Sequence, residues 1–430
     1  MMIKVLFVFV LICGVVLSQD ASNDYQNTTY NAQFEPVSQS GSISVTAYFS
    51  PDNSVGLETE LVENAKNTID IGIPGFDSWS YCTDTYKGIY GCTVDKQRNQ
   101  EAFPIFQALV NAINRGVQVR ILTNYYSNTT YTPGYIDPLA FLKLQGAQVR
   151  YFTTLTFLHT KYMNIDGTTS SISSINYSQT SFMKNREAGV IIQNANQLTN
   201  FTNAVFEYDW DQSVDWPTIS YSAADMKIIQ DKSPLTVTIP PPNTFSGAYI
   251  TKPTTVATKQ TVEVFASPDF AFSNVAEDIK KSSSMKVYIY QITGTTWCDI
   301  MANYPGKLTI LVSNDIFDQA DWEAATQCYT QLVQKGITVR KTAYGMYTYS
   351  HQKYWILDDK IVYLSTGNMG DTDFPSGSNE FPAYDQDPSN WRKTNRDFNV
   401  KMTDSQLVEV YETLFEKDYA LGYDYHPKSL

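Results

Sequence analysis

The sequence predicts an α/β protein written twice, with two similar halves that each carry a mixed, mostly parallel sheet flanked by helices. The halves are expected to pack about a pseudo-twofold axis around one shared active site. Three observations predict this. A run of strand, Ser-Pro-Asp turn, helix and strand occupies 48–73 (YFSPDNSVGLETELVENAKNTIDIGI) and again 264–292 (VFASPDFAFSNVAEDIKKSSSMKVYIYQI). A helix stopped by a glycine leads into a strand at 106–126, with Gly116 as the stop, and at 329–344, with Gly336. Two of only three histidines in 430 residues stand in one short pattern, LHTKYMNID at 158–166 and HQKYWILD at 351–358.

Taken in chain order, the first segment is set apart from the fold. MMIK, an apolar run of fourteen residues and then QDASND have the pattern of a secretory signal, with cleavage expected near Ser18 and an uncleaved anchor as the alternative. The run is short for a membrane span of roughly twenty residues. Residues 44–230 are expected to form the first half and 262–420 the second. Between them, 231–261 is rich in Pro and Thr, and the run Pro240, Pro241, Pro242 excludes a continuing helix or central strand.

Removal of the signal takes away Cys13 and leaves Cys82, Cys92, Cys298 and Cys328. Two disulfides are expected, Cys82 with Cys92 and Cys298 with Cys328, because each pair then lies within one half; four cysteines allow three pairings. N-x-[ST] sequons at Asn27, Asn128, Asn176 and Asn200 agree with a secreted or lumenal, endolysosomal location. The net charge is −13, and loss of Lys4 with the signal makes it −14. A chain this acidic lacks the general positive field that supports extended binding along a polyanion, and it does not adhere to anionic membranes by bulk charge.

The chemistry is concentrated in the histidine segments. In an extended chain, residues i and i+2 share a face, so His159 points with Lys161 and His351 with Lys353. Asp166 and Asp358 follow their histidines by an odd step and are expected at the turn that ends the strand, as hydrogen-bond acceptors. Downstream, NREAGV (185–190) and NRDFNV (395–400) match. Their acids, Glu187 and Asp397, are candidates to fix the histidine tautomers; a surface ion pair with the adjacent arginine is the alternative. Asn176 and Asn368 each stand ten residues after the aspartates and are candidate donors to an oxyanion, with turn formation as the alternative.

Brought into one cleft, two imidazoles, two ammonium groups and two amides suit a phosphodiester. One histidine attacks phosphorus to give a phosphohistidine, and the other protonates the leaving oxygen and then activates water. Lysine supplies the positive charge, so no metal or other cofactor is expected.

At these residues the sequence resembles the phospholipase D superfamily, whose signature is a pair of HxKxxxxD motifs. The resemblance runs from about Ser44 to Tyr419 and is nearest to the compact, lumenal two-motif branch. It implies that His159, Lys161, His351 and Lys353 form one site with one histidine as nucleophile. It also implies that Asn176 and Asn368 match the asparagine of the family's G-[ST]-x-N segment, and that Glu187 and Asp397 match its downstream acid. Departures are Ser173 and Ser365 in place of the glycine, Asp373 where a serine often stands (Ser181 in the first half), and an insertion over 374–391. The expected reaction is hydrolysis of phospholipids such as phosphatidylcholine to phosphatidic acid and headgroup. The alternative is a lumenal 5′ exonuclease acting on single-stranded nucleic acid with the same chemistry. Tyr-rich stretches at 124–138 and 343–349 suit a zwitterionic lipid interface, or ordinary packing.

Overall fold

The computed structural model describes residues 30–77, 91–99, 103–124, 134–241, 250–377, 380–381 and 394–427. Among these, the two repeats fold alike. Each Ser-Pro-Asp segment leaves a strand (Ile43–Ser50, Val262–Ser267), makes the turn with a cis Ser-Pro bond and enters a helix (Ser54–Asn64, Ala271–Lys281). Helices Pro104–Asn114 and Gln319–Gln334 end where Gly116 and Gly336 take positive φ of 90° and 80°, values that glycine accepts without strain.

The first sheet runs in the order Val214–Asp215, Gln148–Tyr151, Gln118–Thr123, Thr68–Gly72, Tyr162–Ile165, Thr169–Ser173, Glu187–Gln193, Ile43–Ser50, Thr254–Thr258. The second repeats the plan as Val37–Gln39, Val262–Ser267, Asn395–Met402, Ile361–Ser365, Lys353–Leu357, Ser284–Ile289, Lys307–Val312, Val339–Lys341, Tyr423–Asp424. The α/β class with helix-flanked mixed sheets is as expected, but the pairing is not mostly parallel. Along each of these strand orders only three neighbouring strands run parallel, Thr68–Gly72 with Gln118–Thr123 and Gln148–Tyr151, and Ser284–Ile289 with Lys307–Val312 and Val339–Lys341. The cause is connection length. A parallel neighbour needs a crossover of a dozen or more residues, whereas each histidine strand turns back within a few residues of Asp166 or Asp358.

The stretch 231–261 contributes Thr254–Thr258 to the edge of the first sheet, while the early strand Val37–Gln39 pairs with Val262–Val264 of the second. Each sheet therefore has one edge strand from beyond its own repeat. Two apolar cores lie under the outer helices of the halves. A third joins them, and in it Tyr162, Ile172 and Val190 of the first sheet meet Tyr354, Leu364 and Phe398 of the second. Helices Asn196–Asp211 and Ser405–Leu421 supply Phe206, Trp210, Tyr411 and Phe415 to this shared core.

Cys298 and Cys328 form the expected disulfide, joining helices Thr295–Ala302 and Gln319–Gln334. Cys92 is also disulfide-bonded; Cys82, its expected partner, lies outside the described residues. A loop closed across a separation of 30 residues restricts the unfolded chain. The double substitution Cys298→Ser, Cys328→Ser is expected to lower unfolding free energy by about 3 kcal/mol, read from urea unfolding under oxidising conditions.

Candidate active site

The backbone carries the histidines to the junction of the halves. Strand Phe157–Leu158 pairs in parallel with Asn395–Arg396, and Arg186 bridges to Ser350 in the same sense. As a result, the His159 N–H donates to the carbonyl of Arg396 at 2.9 Å, and the His351 N–H donates to the carbonyl of Arg186 at 2.7 Å. The residue after each arginine is the acid, so each histidine meets the acid of the opposite half. His159 Nδ1 lies 3.1 Å from Asp397 Oδ1, and His351 Nδ1 lies 2.9 Å from Glu187 Oε2. With Nδ1 held in this way, Nε2 is the nitrogen left for chemistry.

Both histidines stand just ahead of their strands, Tyr162–Ile165 and Lys353–Leu357, rather than inside a regular strand. Lys353 Nζ reaches back to His351 Nε2 at 2.8 Å and to the His351 carbonyl at 2.6 Å, so this pair shares a face as the spacing requires. Lys161 Nζ donates to the carbonyl of His159 and, at 3.3 Å, to that of Thr366 across the junction. The imidazoles remain 17% and 12% exposed, whereas the lysines are sealed in, so an incoming group meets ring nitrogen first and ammonium behind it.

Burial sets the electrostatics. It pushes Lys161 down to about 8 against the opposing pull of Asp397 and Asp373, and it pushes Lys353 well below the usual lysine range despite Glu187. It also pushes His351 down to about 4, outweighing Glu187, so this ring is neutral across the physiological range. Burial alone would raise Glu187, but the hydrogen-bonded His351, the nearby Lys353 and the Ser174 hydroxyl hold it below the ordinary value.

The serines standing in place of glycine form matched turns. Ser173 Oγ accepts from the Ile175 N–H, and Ser365 Oγ accepts from the Gly367 N–H. The next hydroxyls hold the acids: Ser174 Oγ donates to Glu187 at 2.6 Å, and Thr366 Oγ1 donates to Asp397 at 2.6 Å. Asn176 and Asn368 follow two residues after these hydroxyls; Asn176 is half-buried and Asn368 buried. At Gly367 a Cβ would stand 2.7 Å from Asp397 Oδ2, so only glycine allows this close approach.

Asp166 and Asp358 are placed away from the imidazoles. Asp166 accepts from the N–H groups of Lys66, Asn67 and Thr68, and Asp358 from those of Ser283 and Ser284, pinning the start of the neighbouring strand. Arg186 and Arg396 do not form surface pairs with the adjacent acids. Both are fully buried. Arg186 clasps Asp52 at 3.0 Å and Asp418 at 3.2 Å; Arg396 clasps Asp269 at 2.6 Å and Asp209 at 2.9 Å.

Two contacts were not anticipated from the sequence. Asp373 Oδ1 also lies 3.1 Å from His159 Nδ1, and the ring of Tyr290 stands edge-on to His351 with centroids 4.8 Å apart. Asp373 was legible only as a departure from a serine position, and Tyr290 only as one apolar residue in a buried strand. The His159, Asp373 and Asp397 atoms lie close together, a spacing that hydrogen bonding itself produces. The ammonium of Lys161 faces the same carboxylates, so the cluster is balanced by protons and lysine.

The site and fold together define a duplicated α/β protein with one paired His-x-Lys centre. Residues 59–210 match the family described as cardiolipin synthase, PLD-like domain, a match that supports the phospholipase D superfamily. The chain is 30% identical over 248 residues to phospholipase D Z of Dictyostelium discoideum, covering 52% of this chain and 53% of that protein. It is 27% identical over 153 residues to phospholipase D Y of the same organism, covering 35% and 33%. The match thus spans about half of the first relative's length and a third of the second's. The fold is similar to that of phosphatidylserine synthase from Haemophilus influenzae Rd KW20, with a TM-score of 0.55 and 12% identity over 94% of this chain and 90% of that one.

Replacing Arg396 with Met strands two buried carboxylates and is expected to cost about 3–5 kcal/mol. Breaking the exposed pair Arg150–Asp215 is expected to cost under about 1 kcal/mol. Urea unfolding of the two variants side by side checks the contrast.

Proposed function

We propose that this protein is a phosphodiester hydrolase of phospholipase D type, acting on phospholipids such as phosphatidylcholine to release headgroup and phosphatidic acid. The observation that carries the reading is the crossed arrangement, in which each imidazole is fixed at Nδ1 by a buried acid of the opposite half and backed by a buried lysine. In this reading Lys161, Lys353, Asn176 and Asn368 stabilise the non-bridging oxygens. Glu187 and Asp397 orient the rings, and Asp166 and Asp358 hold the scaffold. The halves 44–230 and 262–420 act as one unit joined through 231–261. The names of the two Dictyostelium relatives support the lipid substrate. So do Tyr344 and Phe317, 88% and 85% exposed. The Phe317 N–H donates at 2.7 Å to the hydroxyl of Tyr290, whose ring contacts His351, so Phe317 borders the site. The neighbouring Tyr347 is buried against Arg186, and 125–133 of the earlier Tyr-rich stretch lies outside the described residues. A lumenal or secreted location is supported by the Cys298–Cys328 disulfide and by the exposed Asn200 sequon; the signal-like segment lies outside the described residues.

The decisive assay is single turnover on a choline phospholipid in mixed micelles and on 5′-hydroxyl single-stranded DNA, using wild type, His159→Ala and His351→Ala. Choline release lost in both variants is expected; stepwise nucleotide release with inert lipid would transfer the reading to the exonuclease. Activity is further expected to fall as pH rises through about 8, where Lys161 loses its charge. Acidity suppresses the neutral state of His351 only towards about pH 4. A pH profile of kcat/KM tests both limits.

A further inference from the structure

The duplicated site is not symmetric. Glu187 is the only carboxylate hydrogen-bonded to His351 Nδ1 among the described residues, whereas His159 Nδ1 faces two, Asp397 and Asp373, each at 3.1 Å and each buried. The residue matching Asp373, five after the asparagine, is Ser181 in the first half. There the serine lies within helix Gln179–Met183, and its N–H donates to the Ser178 hydroxyl. Asp373 is fixed independently by the Asn395 amide, which donates to it at 3.0 Å. The opposite imidazole differs in a second way. Its Nε2 already shares a proton with Lys353 Nζ at 2.8 Å, whereas Lys161 Nζ contacts carbonyls and leaves the His159 ring free. Around His159 stand Lys161 from its own segment and Asp373 and Asp397 from the second half, with Glu187, His351 and Lys353 on the far side of the site.

We propose that Asp373 is a positioning residue that makes His159 the attacking imidazole, by standing beside Asp397 as a second anion against the positive charge the ring gains when Nε2 bonds to phosphorus. This rests on the phosphodiesterase reading above. In the first step the Nε2 lone pair of His159 forms the N–P bond and the P–O bond to the leaving alcohol breaks. The leaving oxygen keeps the bonding pair and takes the proton shared by Lys353 and His351. The ring of His159, with Nδ1–H retained, is then cationic and lies against two carboxylates. In the second step a water oxygen bonds to phosphorus and its proton returns to the Lys353–His351 pair. The N–P bond breaks and gives the pair back to His159. Anions placed where positive charge develops lower the barrier to attack, whereas a single carboxylate suffices to orient a proton donor. The buried Asp373 carboxyl is held below its usual range by His159 and Asn395 despite desolvation, so it carries its charge into the reaction.

The test uses the full chain and two soluble diesters, one with a p-nitrophenol leaving group that needs no proton and one with an alkyl alcohol. Asp373→Asn is expected to slow both by about tenfold or more, including the p-nitrophenol burst, with Asp373→Glu restoring part of the rate. Glu187→Gln is expected to slow the alkyl diester about tenfold more than the aryl one. In His351→Ala, neutral-quench peptide mapping after the aryl diester is expected to find the phosphoryl adduct on His159. An adduct on His351 in His159→Ala, or a burst in Asp373→Asn equal to wild type, overturns the inference and leaves the phosphodiesterase reading intact. Wild-type protein that releases neither alcohol overturns both.

Discussion

The whole structure depends on two buried guanidinium groups and the way each is shared. Arg186 binds Asp52 of its own half and Asp418 from helix Ser405–Leu421 of the other; Arg396 binds Asp269 of its own half and Asp209 from helix Asn196–Asp211 of the first. A buried arginine must find carboxylates on all sides, and removing any partner leaves a charge without water. This requirement fixes the relative position of the halves more sharply than apolar contact could, since the shared core of Tyr, Phe, Val and Leu tolerates small slides. Once the arginines are set, the rest follows from chain continuity. Their carbonyls receive the histidine N–H groups, and the next residues, Glu187 and Asp397, fall under the histidines of the opposite half.

Much of this was legible in the sequence because it is local. The Ser-Pro-Asp turns, the glycine helix stops and the i, i+2 pairing of His351 with Lys353 depend on backbone geometry over a few residues. The placement of Asp166 and Asp358 at strand-ending turns was legible for the same reason, as an odd step in an extended chain. What connects distant parts was not. Spacing could nominate Glu187 and Asp397 but not say which histidine each would serve, because the crossing is a property of how the halves dock. The arginines read equally well as surface partners of their neighbours, since burial of an Arg is decided by acids more than a hundred positions away. The expectation of mostly parallel sheets came from alternating helices and strands, and it missed the short hairpins after Asp166 and Asp358.

Duplication and divergence are distributed unevenly. The buried framework keeps matched hydrogen bonds, from the Ser173 and Ser365 turns to the hydroxyls of Ser174 and Thr366 on the acids. Differences gather immediately around the imidazoles, where Asp373 faces His159 and Tyr290 faces His351. A two-step displacement asks different things of its two imidazoles, so a symmetric scaffold with unequal immediate surroundings suits it.

The exchange of edge strands has a consequence for synthesis. Val37–Gln39 leaves the ribosome early, yet the strand it pairs with, starting at Val262, follows more than two hundred residues later. At ordinary elongation rates that is a wait of roughly ten to fifty seconds. Through this interval the nascent chain keeps Val37–Gln39 without its partner strand, while the first sheet still lacks its own outer strand, Thr254–Thr258. Assembly therefore closes an early strand onto one made much later, and long-range closure of this kind slows folding relative to a pair of self-contained domains.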